Sequence, residues 1–194
     1  EGSVTLNYLV SKAYAGEAYA LAFHNNDEYA IPAEQELMKI FKWSGYPAFV
    51  TDMMPGSVGL LNEGGCGASI DKSLFETRTH CGVAVESTLE GDRVTVNARV
   101  FSEQTMDYRI AAYVIEDKVI GSQTLSTGSV QEDYMHRHVV RKMLCGNVRG
   151  DSLGEIKAEE EAEKTFTFDV EDGWNVENLS VAVLAINEDG HVNN

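Results

Sequence analysis

The chain has 194 residues, 43% of them hydrophobic, and its 15 basic against 31 acidic side chains give a formal net charge of −16. This apolar content can offset chain entropy, so a disordered protein is excluded, and the length fits one large domain or two small ones. The acidic balance excludes nucleic acid as a partner, since phosphate binding needs a basic surface, and it disfavours anionic membrane surfaces. We interpret the charge as solubilising; a weak surface for divalent cations or cationic partners is the alternative. No apolar run approaches the ~18–20 residues of a membrane span.

The first third of the chain combines helical periodicity with short apolar runs. Apolar residues at i, i+3, i+4 and i+7 predict helices, and apolar runs bounded by turn residues predict strands. In chain order the pattern predicts a helix over 3–14, a doubly buried parallel strand over 18–23, a helix that starts at Pro32, strands over 48–51 and 57–61, and a helix over 69–79. Alternating helices and strands indicate an α/β domain, which we place at residues 1–80.

From about Cys81 the hydrophobic period changes from 3.6 to 2. Alternating apolar residues predict five strands, near 81–85, 94–100, 108–114, 166–170 and 179–186. Such strands, with turns like Glu90-Gly91-Asp92 between them, are typical of an antiparallel β-sandwich, which we place at residues 81–194. Residues 121–162 form an insertion, with a helix predicted over 134–144 and an acidic loop over 150–163. The predicted fold class is α+β.

The chain contains three cysteines, Cys66, Cys81 and Cys145, and no two of them form a C-x-x-C pair. The odd count leaves two states open, three reduced thiols or one disulfide with one free thiol. Cysteine is often an inert buried residue. Cys66 follows Gly64-Gly65, and this glycine-rich stretch predicts an exposed thiol that is the most reactive of the three. The sequence predicts no catalytic residue and no cofactor.

His136, Arg137, His138 and Arg141 form the basic cluster of an otherwise acidic chain. On a strand, the two histidines would share a face and bind a metal ion. On the predicted helix they point apart, so we predict no metal site. We expect the two arginines to pair with carboxylates of the chain and to anchor the insertion on the sandwich. His24, at the end of the predicted 18–23 strand, is interpreted as a structural histidine.

The order of elements over residues 1–80 resembles the thioredoxin fold with its front removed. The most specific part is Ser44-Gly45-Tyr46-Pro47-Ala48-Phe49-Val50, which looks like the thioredoxin loop whose cis-proline leads into a strand. The resemblance implies that the Tyr46-Pro47 bond is cis and that Tyr46 and Pro47 line a groove for extended substrate. Only ~5% of X-Pro bonds are cis, so this prediction is specific.

The chain departs from the thioredoxin pattern at the redox-active motif of that family. The C-x-x-C, which would stand at a helix N-terminus that lowers a thiol pKa, is not in the sequence, and neither is the strand before it. Glu1-Gly2 looks like the residues that follow such a motif. Without that strand, residues 18–23 lack a ladder partner. We expect an upstream piece to supply it; a strand donated by a second copy and a rearranged sheet are the alternatives.

Both parts together resemble the outer membrane protein 28 related family of extracytoplasmic bacterial lipoproteins. Three stretches carry this resemblance, at 45–47, 108–117 and 134–141. It implies a periplasmic or outer-membrane location, a lipid anchor outside this chain and a protein or peptide partner in the cell envelope. We therefore expect a binding or structural protein with a thioredoxin-like scaffold. The alternative is a thiol-disulfide oxidoreductase whose C-x-x-C lies upstream of Glu1.

Overall fold

Short helices and a two-stranded hairpin occupy the chain up to residue 76. The computed structural model describes residues 2–125 and 127–194, so Glu1, named above with Gly2, lies outside the described residues. In chain order the elements are α1 (Gly2–Tyr8), which continues as a π-helical turn (Leu9–Ala13), α2 (Pro32–Phe41), β1 (Ala48–Phe49), β2 (Gly59–Leu60) and α3 (Glu63–Glu76). The three helices and the two strands of the hairpin occur near their predicted positions, although both strands are shorter than predicted.

Helix α2 begins and ends for identifiable reasons. Pro32 occupies its first turn, where a missing N–H costs nothing, and Lys42 ends it with a left-handed φ of 51°. Its apolar stripe, made of Ala33, Leu37, Ile40 and Phe41, is partly buried, with Ala33 and Phe41 the most enclosed. Phe41 belongs to the same hydrophobic core as the strands that follow. This helix is therefore fixed to the sandwich by its last turn.

Helix α3 starts six residues before the predicted position. The side chain of Asn62 caps it by accepting a hydrogen bond from the Gly65 N–H at 2.8 Å. The cap draws the glycine-rich stretch into the helix and buries Cys66 beside Leu9 and Ile70. The prediction of an exposed thiol at Cys66 is therefore wrong.

Residues 18–23 do not form the predicted sheet strand. Their one ladder contact within the described chain is a parallel bridge between Ala22 and Val139. The Ala22 N–H donates to the His138 carbonyl at 2.8 Å, and the Val140 N–H donates to the Ala22 carbonyl at 3.0 Å. Phe23 then meets Tyr113 edge-on, with ring centroids 5.6 Å apart. The apolar run thus packs against the sandwich through this bridge and through the Phe23 ring.

Nine strands follow in the described part of the chain, and they make two facing sheets and a separate hairpin. They are β3 (Cys81–Glu90), β4 (Arg93–Ser102), β5 (Met106–Glu116), β6 (Val119–Thr124), β7 (Val130–His136), β8 (Val139–Met143), β9 (Asp151–Ile156), β10 (Glu160–Asp169) and β11 (Leu179–Ile186). One sheet has the order β10-β4-β3, and in the other β5 pairs with β11 on one side and with β8 and β9 on the other. The hairpin consists of β6 and β7. Few helices and many antiparallel strands make the fold α+β.

The two sheets share one core centred on β5. Ile110 and Val114 of β5 are fully buried, as are Val96 and Val100 of β4 on the facing sheet. Period-two alternation along β4 places its even-numbered residues on this inner side. Since β5 has partners along both edges and is covered on both faces, it is the most enclosed strand of the molecule.

The insertion over 121–162 is made of strands, so the predictions of a helix over 134–144 and a loop over 150–163 are wrong. Val139 and Val140 are β-branched and fully buried on β8, where a strand accommodates them better than a helix does. A turn at His138, with a φ of 57°, separates β7 from β8. None of the helices in the described ranges is long and apolar enough to cross a membrane.

Gly150 and Gly154 provide a test of how closely β9 approaches β5. Both have positive φ, at 76° and 75°, but a Cβ on Gly150 would lie 2.6 Å from the Ile110 carbonyl group, whereas one on Gly154 would meet nothing within 4 Å. We expect Gly154→Ala to lower the free energy of unfolding by about 1 kcal/mol and Gly150→Ala by about 3 kcal/mol or more. Urea denaturation of both variants measures the difference. Equal losses would contradict the close packing of these strands.

Candidate functional site

The turn between α2 and β1 contains the Tyr46-Pro47 peptide bond, which is cis as predicted. The Tyr46 side chain is 52% exposed, although its hydroxyl points back into the protein. The Pro47 carbonyl accepts a hydrogen bond from the Leu61 N–H at 2.7 Å, which joins the turn to the end of β2. The turn is thus joined to β2, and about half of the Tyr46 side chain remains exposed.

Glu34 is buried, at 3% exposure, and its carboxylate holds the turn in place. The Tyr46 hydroxyl donates to Glu34 Oε1 at 2.6 Å, and Asn25 Nδ2 donates to Glu34 Oε2 at 3.0 Å. The hydrogen bond to Glu34 is the main cause of a raised pKa at Tyr46. Trp43 meets the Tyr46 ring edge-on, with centroids 6.1 Å apart. These contacts fix the orientation of the tyrosine before any ligand arrives.

Exposed apolar side chains surround the turn. Met38 is 37% exposed and Leu60 is 51% exposed, and the Met38 sulfur lies 3.4 Å from the Tyr46 hydroxyl. Gly45 lies beside the Leu60 side chain. We call Met38, Tyr46 and Leu60 the Tyr46 ledge. Among the described residues, the backbone N–H and C=O of Tyr46 bond no other group of the protein, so the ledge combines apolar surface with free backbone groups.

The first turn of α1 lies directly against Pro47. A Cβ on Gly2 would be 2.6 Å from Pro47 Cγ and 3.3 Å from Leu61 Cδ2. Only glycine permits this approach without displacing the proline ring. The start of α1 therefore lies beside the proline that follows Tyr46 of the ledge.

The three cysteine thiols lie in surroundings that keep them unreactive. Cys66, Cys81 and Cys145 are free and buried. Burial raises the pKa of Cys66 and of Cys145, and it raises the pKa of Cys81 to about 11. A thiol attacks disulfides as the thiolate, so these surroundings suppress the reactivity of all three.

The predicted basic cluster is divided between two environments. Arg141, on β8, pairs with Glu116 at 3.3 Å, and the two side chains are only 16% and 6% exposed. The Arg141 guanidinium also lies over the rings of Tyr29 and Trp174, at 5.3 Å and 5.4 Å. Arg137 is exposed, and the described part of the chain has no carboxylate within ion-pair distance of it. The anchoring role expected of two arginines therefore rests on Arg141.

His136 lies at the centre of an aromatic cluster where β7 meets the first third of the chain. Its ring centroid is 4.9 Å from that of His24, 5.5 Å from Tyr29 and 5.0 Å from Tyr134. Its Nε2 lies 3.2 Å from the Ser122 carbonyl, which it faces as a donor. Burial, and then the neighbouring His24, lower the pKa of His136. These contacts bury the His136 ring among the rings of His24, Tyr29 and Tyr134.

His138 lies beside the carboxylate of Asp117. It occupies the turn after β7, where its backbone N–H donates to Asp117 Oδ1 at 2.8 Å. His24 Nδ1 lies 2.6 Å from Asp27 Oδ2. Within residues 2–125 and 127–194, no three His, Cys, Asp or Glu side chains converge in a way that would hold a metal ion.

Two buried carboxylates, Glu34 and Glu116, were not singled out from the sequence. Glu34 carried a readable signal, because it is placed three residues before Leu37 and seven before Phe41, on the apolar stripe of α2. Glu116 carried none, since its partner Arg141 is recognised only when β5 and β8 are paired.

Substitution of Arg141 tests the buried ion pair against a matched neighbour. We expect Arg141→Ala to lower the free energy of unfolding by about 3 kcal/mol, because the Glu116 carboxylate loses its cation inside the protein. Exposed Arg137→Ala is expected to change it by less than about 0.5 kcal/mol. Chemical denaturation at neutral pH measures both. A small decrease in the free energy of unfolding in both variants would show that the Arg141–Glu116 ion pair does not hold β5, β8 and Tyr29 together.

Comparison with known proteins identifies the family. HBP35 of Porphyromonas gingivalis has a similar solved structure, with a TM-score of 0.73 at 18% sequence identity, over 95% of this chain and 62% of that chain. At this identity the likeness shows a shared fold, and the chain spans about three fifths of HBP35. No curated protein matches the sequence. The model of the family "Outer membrane protein Omp28" matches residues 34–194. The chain belongs to this family, whose members are extracytoplasmic proteins associated with the outer membrane.

Proposed function

We propose that this cell-envelope protein binds an extended segment of another envelope protein at the Tyr46 ledge. In this proposal residues 1–80 are a thioredoxin-like scaffold that presents the ledge, and residues 81–194 are the β-sandwich domain that supports it. One observation carries the proposal. The unbonded backbone groups of Tyr46 lie next to the exposed apolar side chains of Met38 and Leu60.

An extended peptide satisfies both features of the ledge at once. Its backbone would bond the N–H and C=O of Tyr46, as in other complexes where a strand adds to an open edge, and its alternate side chains would cover the apolar surface. The hydrogen bonds from Tyr46 and Asn25 to Glu34 support this proposal, because a ring already held in place loses little entropy on binding.

Charge favours some segments over others. With a net charge of −16, the protein repels acidic segments and attracts basic ones at long range. A lipid anchor outside residues 1–194 would keep the protein at the membrane surface where such partners occur. The proposal requires no chemistry from Cys66, Cys81 or Cys145.

A thiol-disulfide oxidoreductase is the second candidate, and one observation favours it. Gly2 lies against Pro47, so a C-x-x-C preceding Glu1 would come close to the ledge and to any peptide bound there. A helix N-terminus lowers the pKa of a thiol in that position. The two candidates share the ledge and differ in whether the bound segment is chemically changed.

Replacement of Tyr46 tests the ledge directly. The probe is a fluorescein-labelled, lysine-capped peptide of alternating valine and threonine, and the measurement is fluorescence anisotropy. We expect Tyr46→Ala to weaken binding about tenfold, because it removes an aromatic anchor and frees the Glu34 carboxylate. Tyr19→Ala is the control, since Tyr19 is 84% exposed and lies outside the ledge. Equal binding by wild type and Tyr46→Ala would reject the ledge as the peptide site.

The chain of 194 residues is expected to have no disulfide reductase activity. Reduction needs a low-pKa thiol with a resolving thiol beside it, and burial raises the pKa of each of the three cysteines. Turnover of a protein disulfide substrate in the presence of a chemical reductant measures this, with reductant alone as the blank. Activity that disappears on replacing Cys66, Cys81 or Cys145 with serine would reveal a redox site within the chain.

A further inference from the structure

The sheet of β10, β4 and β3 has two edges that differ in character. Along β10, five of ten residues are charged: Glu160, Glu161, Glu163, Lys164 and Asp169. Along β3, which also has ten residues, only Glu86 and Glu90 are charged. Charged side chains on an edge strand oppose pairing with another chain. The β10 edge is protected in this way, and the β3 edge is not.

The backbone of β3 presents free groups along this edge. The His80 carbonyl accepts from the Glu103 N–H at 2.9 Å, and the register with β4 continues without interruption from Cys81 to Glu90. Hydrogen-bonded residues alternate along an antiparallel pair, so the even-numbered residues of β3 bond β4. The odd-numbered residues Val85, Ser87 and Leu89 therefore direct their N–H and C=O groups away from the sheet.

Two of these residues, Val85 and Leu89, have apolar side chains that are poorly covered. Val85 and Leu89 pair with Ala98 and Val94, which belong to the inner side of β4. Inner positions of a sandwich are normally covered by the opposite sheet, yet Val85 is 45% exposed and Leu89 is 48% exposed. This end of β3 extends beyond the facing sheet and leaves an apolar margin open.

The open margin has a defined length. At its start, Asn194 Nδ2 donates to the Cys81 carbonyl at 3.0 Å, and Cys81 is buried. At its other end, Gly91 begins the turn into β4, with a φ of 62°. The free stretch is thus about eight residues, from Val83 to Glu90, which is long enough for a stable strand pair.

We propose that a second copy of this chain occupies this margin through its own β3, in antiparallel orientation. Centring the pair on Ser87 places Val85 opposite Leu89 of the second copy, and the symmetry repeats that contact. In the same register Glu86 faces Thr88, so no carboxylate lies directly opposite another. The alternative register centred on Glu86 puts that residue opposite itself, which is unfavourable.

The resulting dimer has one continuous sheet of six strands. Val85, Ser87 and Leu89 form the hydrogen-bonded pairs, since their backbone groups face outward on both copies. Four exposed apolar side chains are covered, two from each chain. The two-fold axis passes through Ser87, so the interface uses the same residues on both copies.

Salt dependence separates a second copy from a foreign basic strand. Each copy carries a net charge of −16, so the two repel each other at long range. Raising the salt from about 0.1 M to about 1 M shortens the Debye length from about 10 Å to about 3 Å and weakens this repulsion. Dimerisation should therefore tighten with salt, whereas binding of a basic strand should weaken.

Sedimentation velocity over a range of concentrations, at both salt levels, tests the dimer. We expect wild type to dimerise, and Leu89→Lys to raise the dimer dissociation constant about tenfold or more by placing an amine in the apolar contact. The control is Thr167→Lys, which adds the same charge to the opposite edge of the same sheet and should leave the constant unchanged. Circular dichroism and thermal unfolding confirm that both variants are folded.

A crosslink tests the register. Ser87→Cys should join two copies through a short bismaleimide, because residues in a hydrogen-bonded pair have Cα atoms about 5.5 Å apart. The three native cysteines are buried, so the added thiol is the reactive one, and Thr167→Cys is the control.

Four results would overturn the proposal. They are a wild-type monomer at about 1 mM, a dimer that Leu89→Lys leaves intact, a dimer that weakens with salt, and no crosslink at Ser87→Cys. A monomer that binds a peptide of alternating lysine and valine, more weakly at high salt, would instead assign the margin to a basic foreign strand.

Discussion

The buried carboxylate of Glu116 is the constraint on which much of the structure depends. It lies at the end of β5 and receives Arg141 at 3.3 Å and the backbone N–H of Asn175 at 2.8 Å. Arg141 in turn lies over the rings of Tyr29 and Trp174. A buried charge must be paired where it lies, so β5, β8, the segment before β11 and the first third of the chain are held in one arrangement.

This arrangement positions the cis-proline turn. The bridge between Ala22 and Val139 and the burial of Phe41 attach the segments around α2 to the sandwich. Glu34, the second buried carboxylate, differs from Glu116 because its partners, Asn25 and Tyr46, are neutral. A movement of Tyr46 would leave part of this carboxylate without a donor, and the cost of that loss keeps the ring in its orientation. The ledge is therefore rigid for a polar reason, although its surface is apolar.

The sequence predicted those features whose signal is local. The period of two from Cys81 onward and Pro32 at the start of α2 are examples. It failed where long-range pairing decides the outcome. An apolar run at 18–23 does not say which strand it will join. The local pattern at 134–144 predicts a helix, because the pairing of these residues with β5 and β6 is not visible in it. Glu116 is hidden for the same reason, whereas the place of Glu34 on an apolar helix face is visible in the sequence.

The edges of the β10-β4-β3 sheet show how an acidic chain can associate without aggregating. On β10, charged side chains oppose the pairing of an approaching strand. On β3, the edge is open only after Cys81, because Asn194 hydrogen-bonds the Cys81 carbonyl at the start of the strand. A pair made by two β3 strands about a two-fold axis uses the open edge of both copies, and the strands that remain outermost are the two charged β10 strands. Association therefore closes at two copies. The same net charge that opposes the first encounter then opposes the addition of a third chain.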